Sequence, residues 1–332
     1  NDDTSLAGSG TEDEPYIIAT ADQFAAVVKG KIAGATEGTY FKVADGIAAF
    51  YMNDKAVADL SSVEEVKAYF ASASGVKDWV GGTFTGQFDG NGVAVYGLYS
   101  TANKASLFAT VVGHSSIKNI TLKNSYLDGN NNQAFGALVG STQWYNDGGI
   151  RASIAFENIA VINNFIRNNN NTNLGASVVI GYAYNNDYIT INNCLVYGNE
   201  IDNSAYTGGT AGSGLITYYG GPGASTSIKN VVAIGVTPWT LEFDTEGAAS
   251  HKGWVTSHFD AGVFQNIYTD QSLDAISAYS PDHNNANNYA KFNINSLEAV
   301  QMQGAAAAEN MQFDSTGWIF TEGYPEFATS HK

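Results

Sequence analysis

The stretch FENIAVINN, Phe156–Asn164, changes phase halfway along its length. Read with the two-residue period of a strand, Phe156 and Asn158 share a face, yet the next apolar pair is Ile159 and Val161. The same break recurs as IKNITL from Ile117, INNCLV from Ile191, IKNVVA from Ile228 and FQNIYT from Phe264. The residues at the break are Asn119, Asn158, Asn193, Asn230 and Asn266, separated by 39, 35, 37 and 36 positions. A sixth copy, VYGLYS from Val95, carries Gly97 at the break, 22 residues before Asn119. Asn and Gly accept a left-handed backbone more readily than other residues. One such residue between two short strands bends the chain and resets which side chains face inward, so the pattern marks a corner.

A corner that recurs every 22 residues, or every 35 to 39 with loops inserted, describes the coils of a solenoid whose strands pair in parallel. Identical corners then stack, and the amides of Asn119, Asn158, Asn193, Asn230 and Asn266 are expected to form a hydrogen-bonded ladder, with Gly97 at its start. A second repeated strand precedes the corners: SLFATVVG, FGALVGST, ASVVIGYA and SGLITYYG. The fold expected is all-β, a single right-handed parallel β-helix, with handedness taken from the general preference of parallel crossovers. Six coils at about 4.8 Å each give a rod section of nearly 30 Å. Residues 1–14 read as a flexible leader, 15–82 as an N-terminal cap with a helical insertion, 83–292 as the coils and 293–332 as a C-terminal cap. Within the first cap, Thr20 is placed to cap a helix bearing Phe24, Val27 and Val28. A second helix is expected over about 62–73, with Ser62 and Glu65 in capping-box spacing. At the far end NSLEAVQMQGAAAAENM looks helical and GWIFTEGYPEF looks like a closing strand.

Composition fits many short strands and tight turns. Charged residues are 14% of the 332, well below the roughly 25% of an ordinary soluble chain, and Asn, Thr, Ser and Gly carry the polarity instead. The formal charge is −17 and the only arginines are Arg151 and Arg167, so no basic stripe exists for a nucleic-acid backbone or an anionic membrane. No apolar run reaches the length of a membrane-spanning helix, so the chain does not read as an integral membrane protein. The opening NDDTSLAGSGTEDEP, without an initiating Met, reads as the acidic segment after a processed export signal, which points to the cell surface or the extracellular space. A single cysteine, Cys194, in an apolar run reads as a buried, inert thiol.

GSGTEDEPYIIATADQFAAVV near the start, FTGQFDGNGVAVYGL at Phe84–Leu98, LFATVVGHSSIKNITL, FGALVG and MQFDSTGWIFTEGYPEF together resemble bacterial cell-surface proteins built from GLUG-type repeats. The resemblance implies a right-handed parallel β-helix. It also implies an adhesin-like surface protein or an accessory region of a secreted enzyme, including some immunoglobulin-cleaving metalloproteases. No HExxH motif is present, so the protease association does not carry over.

Three aromatic loops follow the second strand: STQWYNDGG, YAYNNDY and TYYGGPG. Stacked at coil spacing, Trp144, Tyr145, Tyr184, Tyr218 and Tyr219 would form a strip flanked by Asn146, Asp147, Asn186 and Asp187. Sugar rings stack on aromatic planes while Asp and Asn bond their hydroxyls, so the strip is a candidate glycan-binding flank; the alternative is mutual packing of loop aromatics with Asn-Asp turns. Asp147 and Asp187, about 5 Å apart on neighbouring coils, suit a retaining glycosidase, which keeps a polysaccharide-active enzyme as an alternative. Lyase chemistry would want basic residues, and only Arg151 and Arg167 are near. A spacer holding another module is the third reading. His251, His258 and Asp260 have a spacing open to a metal or to a solvated loop, and His114 reads as surface. DGNG at Asp89–Gly92 and DGNNN at Asp128–Asn132 suggest calcium loops but lack EF-hand spacing, so turns are the plainer reading. No cofactor is expected, calcium being the one candidate ion, and the partner expected is a glycan or an extracellular protein.

Overall fold

The computed structural model describes residues 5–131, 135–143, 153–170, 175–183, 188–202, 215–219, 226–235, 262–270, 293–313 and 317–327. The protein is mostly β, and its strands are gathered into parallel sheets. The largest runs in chain order through Tyr16–Ile18, Tyr40–Val43, Gln87–Tyr96, His114–Lys123, Ser153–Ile162, Tyr188–Tyr197, Thr226–Ile234, Val263–Asp270 and Ile294–Leu297. A second sheet collects Thr83–Phe84, Phe108–Val112, Val139–Gln143, Ile180–Ala183 and Ile216–Tyr219; a third collects Tyr99–Ser100, Tyr126–Gly129, Phe165–Asn168 and Glu200–Asp202. Spatial order follows chain order in all three, so each pass of the chain lays one strand into each sheet beside its predecessor. That arrangement is compatible with a solenoid.

Five strands of the large sheet, from His114–Lys123 to Val263–Asp270, each bend at the Asn that breaks the sequence phase. Asn119, Asn158, Asn193, Asn230 and Asn266 have φ of 56°, 51°, 61°, 55° and 54°. Ile117 is buried before the bend, and Ile120 and Leu122 after it, which is the phase reset written in the sequence. Register stacks these positions in columns: Phe88, Ile117, Phe156, Ile191, Ile228 and Phe264 in one, and Val93, Ile120, Ile159, Cys194, Val231 and Ile267 in the next. The columns form one continuous interior core.

The side chains at the bend link strand to strand. Asn119 Nδ2 donates to Asp89 Oδ1 at 2.8 Å, Asn158 Nδ2 to Asn119 Oδ1 at 2.9 Å and Asn193 Nδ2 to Asn158 Oδ1 at 2.8 Å. At the next step Trp318 Nε1 donates to Asn193 Oδ1 at 3.0 Å, and Asn230 Nδ2 donates instead to Asn192 Oδ1 at 2.8 Å. Asn266 Nδ2 then donates to Asn230 Oδ1 at 3.0 Å.

Gly97 does not belong to this row. The residue opposite Asn119 lies within a bulge between Asp89 and Val93, where Asn91 and Gly92 take φ of 50° and 84°. Gly97 heads a second row of left-handed corners, continued by Asn124, Asn163, Gly198 and Gly235 with φ of 54°, 52°, 61° and 56°. The bulge hides the true partner, because it puts two extra residues into that strand.

Residues 5–14 are tied down: Ala7 bridges Ile17, Gln23 Nε2 donates to Ser5 O at 2.8 Å and Tyr40 N donates to Gly10 O at 2.9 Å. Thr20 caps helix Ala21–Val28 in a full capping box with Gln23, and Phe24, Val27 and Val28 are buried. Ser62 caps helix Val63–Ser72, but the Glu65 carboxylate takes Ser61 N, at 2.7 Å, in place of the cap residue's own N–H. This helix packs Phe70 against Tyr99 and Tyr126 of the third sheet. At the other end, among the described residues, Ile294–Leu297 alone extends the large sheet. The short helix Gly304–Asn310 and the antiparallel pair Trp318–Ile319 and Glu326–Phe327 fold back over outward residues Ala160, Leu195, Val232 and Tyr268.

Candidate functional site

Most of the aromatic strip expected from the loops, Trp144, Tyr145, Asn146, Asp147, Tyr184, Asn186 and Asp187, lies outside the described residues, as do His251, His258 and Asp260. Tyr218 and Tyr219 sit in the second sheet, in register with Tyr182 and Ala183. The two Asp-Gly loops are built into the scaffold. Asp89 Oδ1 accepts from Asn91 N and Asn119 Nδ2, both at 2.8 Å, and Asp89 Oδ2 lies 3.6 Å from Lys118 Nζ. Asp128 Oδ1 accepts from Arg167 Nε at 2.9 Å and from Asn169 Nδ2 at 2.7 Å, and its other oxygen pairs with the same guanidinium. Arg167 is held charged by those bonds to Asp128. Among the described residues no group of three His, Cys, Asp or Glu is placed to hold a metal ion. Cys194 is fully buried and burial pushes its thiol up, which removes the thiolate a nucleophile needs.

A different site lies on the outer face of the large sheet, just past the first corner. Outward side chains there stand in two rows across neighbouring strands: Ala49, Ala94, Thr121, Ala160 and Leu195, and beside them Tyr51, Tyr96, Lys123, Ile162 and Tyr197. The first row is small over its first four positions, so the sheet surface is low there. The second carries three tyrosines and a lysine. They form the floor of a groove of about 820 Å³. One wall is Ala58–Ser61 and the other is Tyr324–Phe327. With strands about 4.8 Å apart, the floor from Tyr51 to Tyr197 runs roughly 19 Å.

Both walls are anchored by residues already placed by the fold. Asp54 caps the turn Lys55–Asp59 by accepting from Ala56 N at 2.8 Å. Asn124 Nδ2 donates to Val57 O and Leu60 O at 2.8 Å each, and Asn163 Nδ2 donates to Ser61 O at 3.1 Å. The second row of corners therefore does double work, turning the chain and holding the first wall. The opposite wall is seated by Phe327 and Trp318, whose rings are 4.5 Å apart over the outward apolar cluster.

Aromatic and charged groups are interleaved along the groove. Tyr51 and Tyr96 stack at 5.7 Å and 17°, and Tyr197 and Tyr324 lie 5.5 Å apart at 50°. Lys55 Nζ stands 5.5 Å from the Tyr51 ring and Lys123 Nζ 5.8 Å from the Tyr96 ring. Burial, and next to it Tyr51, pushes the Tyr96 hydroxyl up, so it remains a hydrogen-bond donor at neutral pH. Asp59 and Glu326 supply acceptors on the two walls, and Thr121 and Asn163 add further polar groups at the floor.

No protein-family model and no curated protein matches the chain. A crystal structure from Bacteroides ovatus, provisionally described as an immunoglobulin A1 protease, aligns with a TM-score of 0.49 and 15% identity over 97% of this chain and 94% of that one. A likeness of that degree carries no argument about activity.

Nothing in the loop sequences announces the groove. Its floor comes from outward positions on five strands, and its walls come from segments more than 200 residues apart. The available signal was local: after Asn158, Asn193 and Asn230 the apolar run is unbroken, as in IAVI, CLVY and VVAI, which marks strands covered on both faces. After Asn119 it alternates, as in ITLK, which marks a face left open.

Proposed function

We propose that the chain is an exported, adhesin-like protein of a bacterial cell surface, built as a right-handed parallel β-helix of the GLUG-repeat kind, that recognises a glycan without catalysis. Three observations support the architecture: the chain-ordered parallel sheets, the two rows of left-handed corners and the side-chain links between coils. The groove carries the functional reading. Its floor combines tyrosine rings with hydroxyl, amide, ammonium and carboxylate groups over a low surface of Ala and Thr, the mixture that a ring with an apolar face and a rim of hydroxyls requires. Its length admits several rings in a row. A rigid scaffold with both walls hydrogen-bonded to it presents these groups preorganised, which lowers the ordering cost of binding.

The test is binding of the purified chain to a broad glycan array, with and without calcium, beside the variants Tyr96→Ala and Lys123→Ala. The reading expects a specific signal that both variants lose while their thermal unfolding stays close to that of the parent. Binding that persists in both would remove the groove from the account. Release of reducing ends from a bound polysaccharide would replace recognition by catalysis.

A further inference from the structure

A second cluster of polar groups, sharing no residue with the groove, gathers on the outer side of the second sheet around Trp79. The Trp79 indole is 5% exposed and donates from Nε1 to Ser106 O at 3.1 Å and Leu107 O at 3.2 Å. Lys29, at the C-terminal end of helix Ala21–Val28, places its Nζ 4.1 Å from the Trp79 ring centroid. From the other side Lys104 donates from Nζ to Ser141 Oγ at 2.7 Å and to Thr110 Oγ1 at 3.3 Å. The backbone of Lys29 packs on the strand that neighbours Thr110, the residue Lys104 bonds. A Cβ on Gly82 would meet Lys29 O at 2.2 Å, Gly82 O accepts from Thr110 N at 3.1 Å, and Thr83 is in register with Thr110.

Among the described residues the cluster contains no ion-paired carboxylate. The chain has 32 acidic and 15 basic residues, and Lys42, Lys67, Lys118 and Arg167 each pair with a carboxylate. Among the described residues no carboxylate lies within ion-pair distance of Lys29, Lys31 or Lys104. The nearby Asp78 is turned to Thr101, accepting its N–H at 2.9 Å. Burial lowers the basicity of both Lys104 and Lys29, and Lys31 adds to the effect on Lys29. Ser106 Oγ is buried with no hydrogen-bond partner. It lies 3.0 Å from where a Cβ on Gly140 would stand, and Lys104 Cβ lies 3.2 Å from the same point. Cations with only hydroxyl and ring partners, partly withdrawn from water, are complementary to an anion that brings its own charge to the site.

We propose that Lys29, Lys104, Thr83 and Thr110 form a binding site for the oxyanion group, carboxylate or sulfate, of an acidic saccharide. The ammonium groups take the charge and the threonine hydroxyls take neighbouring sugar hydroxyls.

The test titrates the full chain by calorimetry with a trisaccharide of galacturonate, a neutral trisaccharide of the same length and inorganic sulfate, each at low and at raised salt. Wild type is compared with Lys104→Met and Lys29→Gln. The expected result is binding of the acidic trisaccharide that weakens with salt and falls by about tenfold in either variant, with the neutral sugar unaffected. Sulfate that competes with the acidic trisaccharide would support the shared oxyanion chemistry. Lys29 sits at a helix end, so its variant keeps the test valid if Lys104→Met does not fold. Equal binding of the acidic and neutral sugars, no binding of either acidic probe, or undiminished affinity in the Lys29→Gln chain would overturn the proposal.

Discussion

Replacing Asn158 by Ala removes two things that can be separated. The side chain donates to Asn119 Oδ1 at 2.9 Å and accepts from Asn193 Nδ2 at 2.8 Å, and two neutral hydrogen bonds of this kind are worth about 1 kcal/mol each. The backbone at φ 51° is left-handed, which costs a residue with a Cβ and no compensating polar side chain roughly 1–2 kcal/mol. The Ala variant should therefore lose about 3–4 kcal/mol. Asn158→Gly loses the same two bonds but keeps the corner, so it should lose about 2 kcal/mol. Guanidinium unfolding followed by far-UV circular dichroism gives both values, provided the slope with denaturant is the same for the two variants. Ala and Gly variants that unfold at one denaturant concentration would refute the claim that the phase break in the sequence is a left-handed corner. A second check uses the shared bond: Asn158→Gly with Asn193→Gly should cost about 1 kcal/mol less than the sum of the single changes.

Trp318→Phe removes the indole donor to Asn193 Oδ1 while keeping the ring packing against Phe313 and Phe327, and should cost about 1 kcal/mol in the same unfolding assay. Val232→Asp puts an unpaired carboxylate into the apolar cluster under the C-terminal segment; limited proteolysis should then release that segment while the β signal in circular dichroism persists. Cys194 should resist thiol reagents in the native protein and react fully in denaturant, since it is buried and its thiol is pushed up. The same shift means that the unfolded thiol ionises first, so this residue's contribution makes stability fall as pH rises above about 8.5.

How much of this was legible in the sequence follows from how far apart the cooperating residues are. The corner at Asn158 was legible because three consecutive features, an inward Phe156, a residue tolerant of positive φ and an inward Ile159, lie within four positions. The second row of corners was equally local, at a fixed offset of five residues: Asn124, Asn163, Gly198 and Gly235 follow Asn119, Asn158, Asn193 and Asn230. Gly97 masked that regularity, because the bulge at Asp89–Val93 makes it fall out of step with the first row. Asn164 and Asn199, fully buried and joined at 2.9 Å, form an inner amide link that composition alone would have assigned to a turn. The flank positions of the helix Val63–Ser72 and of the C-terminal segment were not legible. Both depend on outward side chains such as Tyr99, Tyr126, Leu195 and Val232, which read as core until the register shows which face they occupy. The groove inherits that difficulty, because its floor is built from the same outward positions and one of its walls is the C-terminal segment itself.

Hydrogen–deuterium exchange with the strongest glycan from the array addresses the central claim most directly, because it maps binding without presupposing a site. The account predicts protection confined to residues 48–61, 94–96, 121–123, 160–163, 195–197 and 324–327, the walls and floor of the groove. Protection centred instead on the loops at 141–149, 182–188 and 217–223 would contradict it and return recognition to the aromatic strip of Trp144, Tyr184 and Tyr218.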